Sequence, residues 1–274
     1  MRMTVIGCGY LGAVHAACMA ALGHDVVGID IDHDKVQALA SGRSPFHEPG
    51  LDEILAQGTA SGRLRFTAEP TAADLRGRGL HFITVGTPQA AGEGSADLSH
   101  LMRAVSMLVR LLDPDEGAVV VGKSTVPVGT AQRVEKALAP AGARLAWNPE
   151  FLREGFAVAD TLRPSRLVYG LSDDPGAARA GREALDEAYR SLLDAGTPVI
   201  ASGFATAELV KVAANSFLAT KISFINAMAE ICDATGADVT MLAQALGHDE
   251  RIGRRALGAG IGFGGGCLPK DIRA

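Results

Sequence analysis

The sequence predicts an α/β protein, a doubly wound parallel sheet followed by an all-helical domain. Three observations carry that reading. Short apolar runs alternate with helical stretches from residue 1 to about residue 200. A glycine-spaced turn, Gly7-Cys8-Gly9-Tyr10-Leu11-Gly12, follows the first run and opens the first helical stretch. Beyond Gly203 the texture changes to a long segment free of Pro and Gly.

Taken in order, the apolar runs place strands at Met3–Ile6, Val26–Asp30, His81–Val85, Ala118–Gly122, Ala143–Trp147, Arg166–Gly170 and Pro198–Ala201. Several are apolar throughout, as parallel strands covered on both faces by helices must be. Helices are expected at Gly12–Leu22, Asp34–Ala40, Leu51–Gln57, Leu98–Leu112, Thr130–Leu138 and Pro175–Leu193. Strands separated by helices of this length imply βαβ crossovers. Ala205–Ala234 reads as one long helix ended by Gly236, with a second at Val239–Leu246. Gly258–Gly266 then holds six glycines in nine positions, and Pro269–Ala274 looks like the start of a helix.

Composition narrows the function classes. Of 274 residues, 47% are hydrophobic and 21% charged, which is globular rather than disordered. A net charge of −5 excludes a polybasic surface for nucleic acid or anionic lipid. Cys8, Cys18, Cys232 and Cys267 form no CxxC pair, so neither a disulfide framework nor a zinc site is implied, and reduced thiols in the cytoplasm are the default. The histidines are dispersed without HExxH spacing, so no metal is expected. Met3–Gly23 lacks any charged residue and imitates a membrane span, yet Gly7, Gly9 and Gly12 break it, and no signal-peptide flank frames it. It reads as strand, turn and helix in a soluble protein.

Gly7, Gly9 and Gly12 after a strand form the Rossmann-type dinucleotide fingerprint, in which the helix N-terminus faces a pyrophosphate. Asp30 closes the second strand 18 residues after Gly12, where a carboxylate accepts ribose hydroxyls and repels a 2′-phosphate, favouring NAD over NADP. Lys35 can reach the cofactor or stay solvated. On the long helix, Lys211, Asn215, Leu218 and Ile222 fall within a sector of about 60° at the helical period. A buried ammonium needs partners, which makes Lys211 a site candidate, although a snorkelling Lys fits the same spacing. Cys267, between glycines and Leu268-Pro269-Lys270-Asp271, sits where a helix N-terminus and a lysine favour thiolate; an inert buried thiol is the plainer alternative. Loops after two strands, Lys123-Ser124-Thr125-Val126-Pro127 and Asn148-Pro149-Glu150-Phe151-Leu152-Arg153-Glu154, lie at the sheet edge where ligands bind. A dinucleotide site beside an activated thiol suits an aldehyde captured as a thiohemiacetal, oxidised to a thioester and hydrolysed.

These residues resemble the UDP-glucose/GDP-mannose dehydrogenase family. The resemblance rests on Gly7–Gly12, Glu48-Pro49-Gly50-Leu51, Val85-Gly86-Thr87-Pro88, Lys123–Thr130, Asn148–Gly155, Glu208–Asn226, Arg251-Ile252-Gly253 and Gly262–Asp271, in the family's order. It implies NAD-dependent four-electron oxidation of UDP-glucose to UDP-glucuronate. It implies Cys267 as nucleophile, Lys211 and Asn215 on substrate and its intermediates, and Glu150, Thr125 and Asp271 around the hydrolytic water. Glu150, Phe151, Leu152, Arg153, Glu154, Arg251, Ala256, Gly260 and Gly264 would line the nucleotide sugar, with Arg251 reaching a neighbouring subunit. NAD would meet Gly7, Gly9, Tyr10, Leu11, Gly12, Asp30, Lys35, Thr87, Thr125, Glu154 and Lys270. A homodimer built on the long helix is also implied.

Two departures are visible. Gly266 stands where the family commonly has Ser before the nucleophile. The family also continues into a third, nucleotide-sugar-binding domain. The expected organisation is therefore an NAD-binding domain at 1–202 and a truncated helical domain at 203–274, a piece that folds and binds NAD but turns over poorly alone. GDP-mannose oxidation, a two-electron β-hydroxyacid-type dehydrogenase and an inactive NAD-binding fragment are the competing readings. Ala213–Ala219 and Arg251-Ile252-Gly253 favour the UDP-glucose branch.

Overall fold

The computed structural model describes residues 1–90, 95–264 and 268–272. In chain order the first part runs β1 (Arg2–Ile6), α1 (Tyr10–Ala21), β2 (Asp25–Ile29), α2 (His33–Ala40), α3 (Leu51–Ala60), β3 (Leu64–Thr67), α4 (Ala72–Leu75), β4 (Leu80–Ile83), α5 (Ser99–Leu111), β5 (Val119–Gly122), α6 (Thr130–Leu138), β6 (Arg144–Trp147), α7 (Ala157–Leu162), β7 (Leu167–Leu171), α8 (Pro175–Ala188), α9 (Arg190–Asp194) and β8 (Val199–Gly203). It continues with α10 (Phe204–Thr235), α11 (Val239–Gly247) and α12 (Leu268–Asp271). Two compact units emerge, one of residues 1–88 and 96–209, the other of 89–95 and 210–274.

The first unit holds one eight-stranded sheet in the order β3-β2-β1-β4-β5-β6-β7-β8. Met3, Val5, Phe82 and Val121 share a core with Val14, Cys18, Leu185 and Tyr189, from α1, α8 and the turn after it. The alternate residues Thr4, His81, Val120 and Leu145 are buried as well, so both faces of the sheet are covered. Every strand pair is parallel except β6 and β7, which pair antiparallel at Ala146–Leu171 and Trp147–Gly170. The expectation of a parallel sheet is corrected there. A parallel return needs a crossover running back along the sheet, and six-residue α7, about 9 Å long, is too short to supply one.

Two further differences have local causes. Strand β3, absent from the sequence reading, is a four-residue edge strand, Leu-Arg-Phe-Thr, that buries only Leu64. The single helix expected at Pro175–Leu193 divides into α8 and α9, because Tyr189 (φ −106°, ψ 16°) leaves helical geometry and turns into the core. The uncharged Met3–Gly23 stretch is β1, a turn and α1, and among the described residues no helix is long and apolar enough to cross a membrane.

The single tryptophan explains two glycines. Trp147 of β6 pairs in register with Gly122 of β5 and Gly170 of β7. A Cβ at position 122 would lie 2.3 Å from the indole ring, and one at position 170 would be caught between the Ala207 Cβ (2.6 Å) and the Trp147 Cβ (3.0 Å). The ring lies across the backbone where its neighbour has no side chain. Gly122→Ala is therefore expected to destabilise the first unit by about 1–3 kcal/mol through overpacking, read as a lower guanidinium midpoint by Trp147 fluorescence.

Two histidines set a pH dependence. His81 is buried against Thr4 Oγ1 (2.8 Å), and burial pulls its pKa from 6.5 to about 4. His15 is buried edge-on against Phe82, and burial, then Lys123, holds it well below its ordinary value. Both stay neutral in the fold while the unfolded chain protonates below 6.5, so stability present above that pH is lost as pH falls towards 4. The expected slope is about 1.4 kcal/mol per pH unit for each histidine, and His81→Phe should flatten it in denaturation curves between pH 6.5 and 4.

Candidate active site

In the first unit the site begins at the turn between β1 and α1. Gly7 (φ +94°) donates its N–H to Ile29 O (2.7 Å), tying the turn to β2. A Cβ at Gly12 would lie 1.9 Å from Gly7 O and 2.6 Å from Thr84 Oγ1, so α1 can cross the turn only with glycine there. At Gly9 the position of a Cβ has no atom within 4 Å, leaving open space in front of the first turn of α1. That turn has no side-chain cap and no acidic residue. Its N–H groups and the positive end of the helix dipole suit an anion. A cavity of about 740 Å³ opens here, lined by Gly7, Gly9, Asp30, Lys35, Val85 and Gly86, and by His100, Arg103 and Arg110 of α5. Glycine exactness at positions 7 and 12 with emptiness at 9 is the cradle a dinucleotide pyrophosphate requires.

Asp30, buried just past the end of β2, takes the Lys35 ammonium at 3.2 Å on both carboxylate oxygens. Lys35 is thus paired with Asp30 and only partly exposed. Thr87 donates to Thr125 O (2.6 Å), and Ser124 donates to Val85 O (2.6 Å), so the loops after β4 and β5 are cross-linked.

The next loop, after β6, is anchored by a buried cluster. Asn148 Oδ1 accepts from Lys123 Nζ (2.9 Å) and Tyr189 OH (2.7 Å), while its Nδ2 donates to Val168 O (2.9 Å). Glu150 accepts from Leu152 N (2.8 Å) within its own loop. Phe151 lies under the Arg166 guanidinium (3.9 Å), Leu152 is half-buried, and Arg153 forms a two-pronged ion pair with Asp160 (2.9 and 2.8 Å). Glu154 is exposed. Buried Glu208 accepts from Gly129 N (2.8 Å) and Ala131 N (2.6 Å) and so caps α6; burial pushes its carboxyl up against the opposing pull of those N–H groups. Burial likewise raises the Cys8 thiol and pushes Cys18 up to about 12, which keeps both out of nucleophilic chemistry at neutral pH.

The second unit brings together residues far apart in sequence. Asn215 Nδ2 of α10 donates to Asp271 Oδ2 of α12 (2.6 Å), and both are buried. Lys211, one turn earlier on α10, is only 5% exposed. Asn226 accepts from Gly260 N (2.8 Å), and Lys221 donates to the carbonyls of Ile252 (2.9 Å) and Gly253 (3.2 Å), fixing the chain between α11 and Gly260. Ala256 takes positive φ (+61°), and Gly264 is exposed with open space at its Cα. Arg251 pairs with its neighbour Asp249 (2.6 Å), its side chain 88% exposed. Cys267 lies outside the described residues, as does the side chain of Lys270.

Sequence reasoning assigned no role to Tyr189, Lys123, Glu48 or Glu208. Their partners are backbone groups or residues tens of positions away, and no spacing rule points to such pairs. The available signal was Glu208 inside the apolar opening of the long helix, where a carboxylate has to be satisfied.

Residues 1–193 match the NAD binding domain of the UDP-glucose/GDP-mannose dehydrogenase family, and residues 205–274 match that family's central domain. Over 278 aligned residues the chain is 45% identical to a UDP-glucose 6-dehydrogenase of Rhizobium meliloti, covering 100% of this chain and 62% of that one. Its fold is similar to a UDP-glucose dehydrogenase from Pyrobaculum islandicum (TM-score 0.91, 40% identity, 99% of this chain and 62% of the other). It is also similar to a GDP-mannose dehydrogenase from Pseudomonas aeruginosa (TM-score 0.84, 33% identity, 100% and 63%). The chain spans about three fifths of the length of these relatives. With its dinucleotide cradle in the first unit and both family domains matched in sequence order, the chain belongs to the UDP-glucose/GDP-mannose dehydrogenase family.

Proposed function

We propose that this chain carries the NAD-dependent four-electron oxidation of a nucleotide sugar, UDP-glucose to UDP-glucuronate. The observation that carries the proposal is the buried Asn215–Asp271 hydrogen bond, one helical turn from buried Lys211. An amide, a carboxylate and an ammonium on a dehydrogenase scaffold suit a primary alcohol that must be deprotonated and whose alkoxide must be stabilised as charge develops. The names of the more identical relatives favour UDP-glucose over GDP-mannose.

The net change is one primary alcohol, water and two NAD⁺ giving a carboxylate, two NADH and three protons. NAD, when bound, accepts a hydride in each of the two oxidations. The chain's own groups do the rest in this reading. Lys211 binds the sugar oxygen and stabilises its anionic forms, and Asn215 orients the reacting carbon. Cys267 adds to the aldehyde to give a thiohemiacetal, whose oxidation leaves a thioester. Asp271, Thr125 and Glu150 position and deprotonate the water that displaces the thiolate. The loop of Phe151, Leu152, Arg153 and Glu154, with Arg251, Ala256, Gly260 and Gly264, holds the nucleotide sugar. On the cofactor side Gly7, Gly9, Tyr10, Leu11 and Gly12 meet the pyrophosphate, Asp30 and Lys35 the ribose, and Thr87, Thr125, Glu154 and Lys270 the nicotinamide half.

The proposal extends to a functional boundary near residue 203, a homodimer and a cytoplasmic setting. Exposed Phe217, Phe224 and Ile231 on α10 support the dimer, and the free thiols of Cys8, Cys18 and Cys232 support a reducing compartment.

The decisive experiment measures NADH formed per nucleotide sugar consumed, for UDP-glucose and GDP-mannose, with the chain alone and with a relative's third domain appended. Two NADH per UDP-glucose, abolished by Cys267→Ala, is the expected result; one NADH surviving that substitution would overturn the thioester route. Asp30→Ala should lower the preference for NAD⁺ over NADP⁺ by at least about tenfold in binding titrations, since it removes the ribose acceptor and releases Lys35 for a 2′-phosphate.

A further inference from the structure

Glu48 has no part in the chemistry above, yet its carboxylate is among the most heavily used in the first unit. It sits in the loop between α2 and α3, buried. Oε2 accepts from the Tyr10 hydroxyl and from Gly155 N (2.8 Å), and Oε1 accepts from Ala157 N (2.7 Å). Tyr10 is the first residue of α1, directly after the open Gly9, and its ring packs on Phe46 (5.0 Å). Gly155 takes positive φ (+79°), and Ala157 opens α7. Burial opposes charge on Glu48, but the Tyr10 hydroxyl and the N–H groups of Gly155 and Ala157 outweigh it and hold the carboxyl below its ordinary range. An ionised, buried carboxylate that takes donors from two segments far apart in sequence, Tyr10 on one side and Gly155 and Ala157 on the other, is a rigid joint.

The segment it grips is the one with the carboxylates. Residues 150–154 are anchored upstream at Asn148, through Lys123 and Tyr189, and downstream at Gly155 and Ala157, through Glu48. The downstream anchor is shared with the residue that begins the dinucleotide-facing helix.

We propose that Glu48 is a positioning residue: it clamps the Glu150–Glu154 loop to the dinucleotide turn through Tyr10, and so sets where those carboxylates stand without touching substrate. The catalytic part of this rests on the function proposed above; the clamp itself does not. Misplacing a reacting group by about 1 Å costs on the order of a hundredfold in rate, so a joint of this kind should show in kcat more than in KM.

The test uses the full chain with Glu48→Gln, Glu48→Asp and Tyr10→Phe, read by amide hydrogen exchange, NAD⁺ binding and steady-state kinetics per folded molecule. Glu48→Gln should speed exchange at both Gly155 and Ala157 and lower kcat by about tenfold or more with smaller changes in KM, and Glu48→Asp should recover part of each. Tyr10→Phe, which leaves the carboxylate in place, should speed Gly155, whose N–H also lies 3.3 Å from the Tyr10 hydroxyl, more than Ala157. Unchanged exchange at both amides in Glu48→Gln would overturn the clamp. Altered exchange with an unchanged kcat per folded molecule would overturn its positioning role. The kinetics are read on the chain with a relative's third domain appended; if that protein, unsubstituted, oxidises no nucleotide sugar, the proposed function fails, while the exchange pattern still decides the clamp.

Discussion

A side chain at position 12 would collide with the carbonyl of Gly7 and the hydroxyl of Thr84, and that steric exclusion is the constraint from which the site is built. Because α1 can lie directly on the turn, its first N–H groups emerge beside the end of β1 with nothing in front of Gly9. The same closeness lets Gly7 N reach Ile29 O, which carries the end of β2, and with it Asp30, to the rim of the cleft. Thr84 closes the arrangement from β4 by donating to Ile6 O (3.0 Å) and Gly7 O (2.8 Å). Three strands and one helix are thereby held in register around the space a pyrophosphate would fill.

Outward from that turn, successive loops are joined to one another by short-range polar contacts. Thr87 meets Thr125, Ser124 meets Val85, Lys123 and Tyr189 meet Asn148, and Glu48 meets Gly155 and Ala157. Loops at the carboxyl edge of a sheet have little apolar surface to bury, so hydrogen bonds in a partly dehydrated setting are what hold them. Loss of one partner in such a chain leaves a buried group unsatisfied, which costs more than the bond contributes.

The elements legible in the sequence are those whose apolar pattern is local. β1, β2, β4, β5 and the helices α1, α6, α10 and α11 appear close to their expected positions, because an uninterrupted apolar run or a helical period is set by neighbours in the chain. β3 was not legible, since Arg65 interrupts a four-residue edge strand that buries a single side chain. Nor was the reversal at β7, which follows from the shortness of α7 and the pairing of Trp147 with Gly170. In the site, Gly7, Gly12 and Asp30 were readable from spacing. Lys35 on Asp30 and Asn215 on Asp271 were readable as candidates and not as pairs, because nothing in a spacing of 56 residues between Asn215 and Asp271 says that they meet.

What the residues determined unaided is the class of fold and the chemistry on offer: a glycine turn that admits only a close backbone, a carboxylate closing the second strand, and a lysine and an asparagine on one face of a long helix. Folding in three dimensions decided which of those groups carry a partner, and it recruited Glu48, Tyr189 and Glu208, whose partners are distant side chains or backbone N–H groups. Periodicity is a property of neighbours along the chain, whereas the satisfaction of a buried charge depends on whatever segment folding brings within about 3 Å of it.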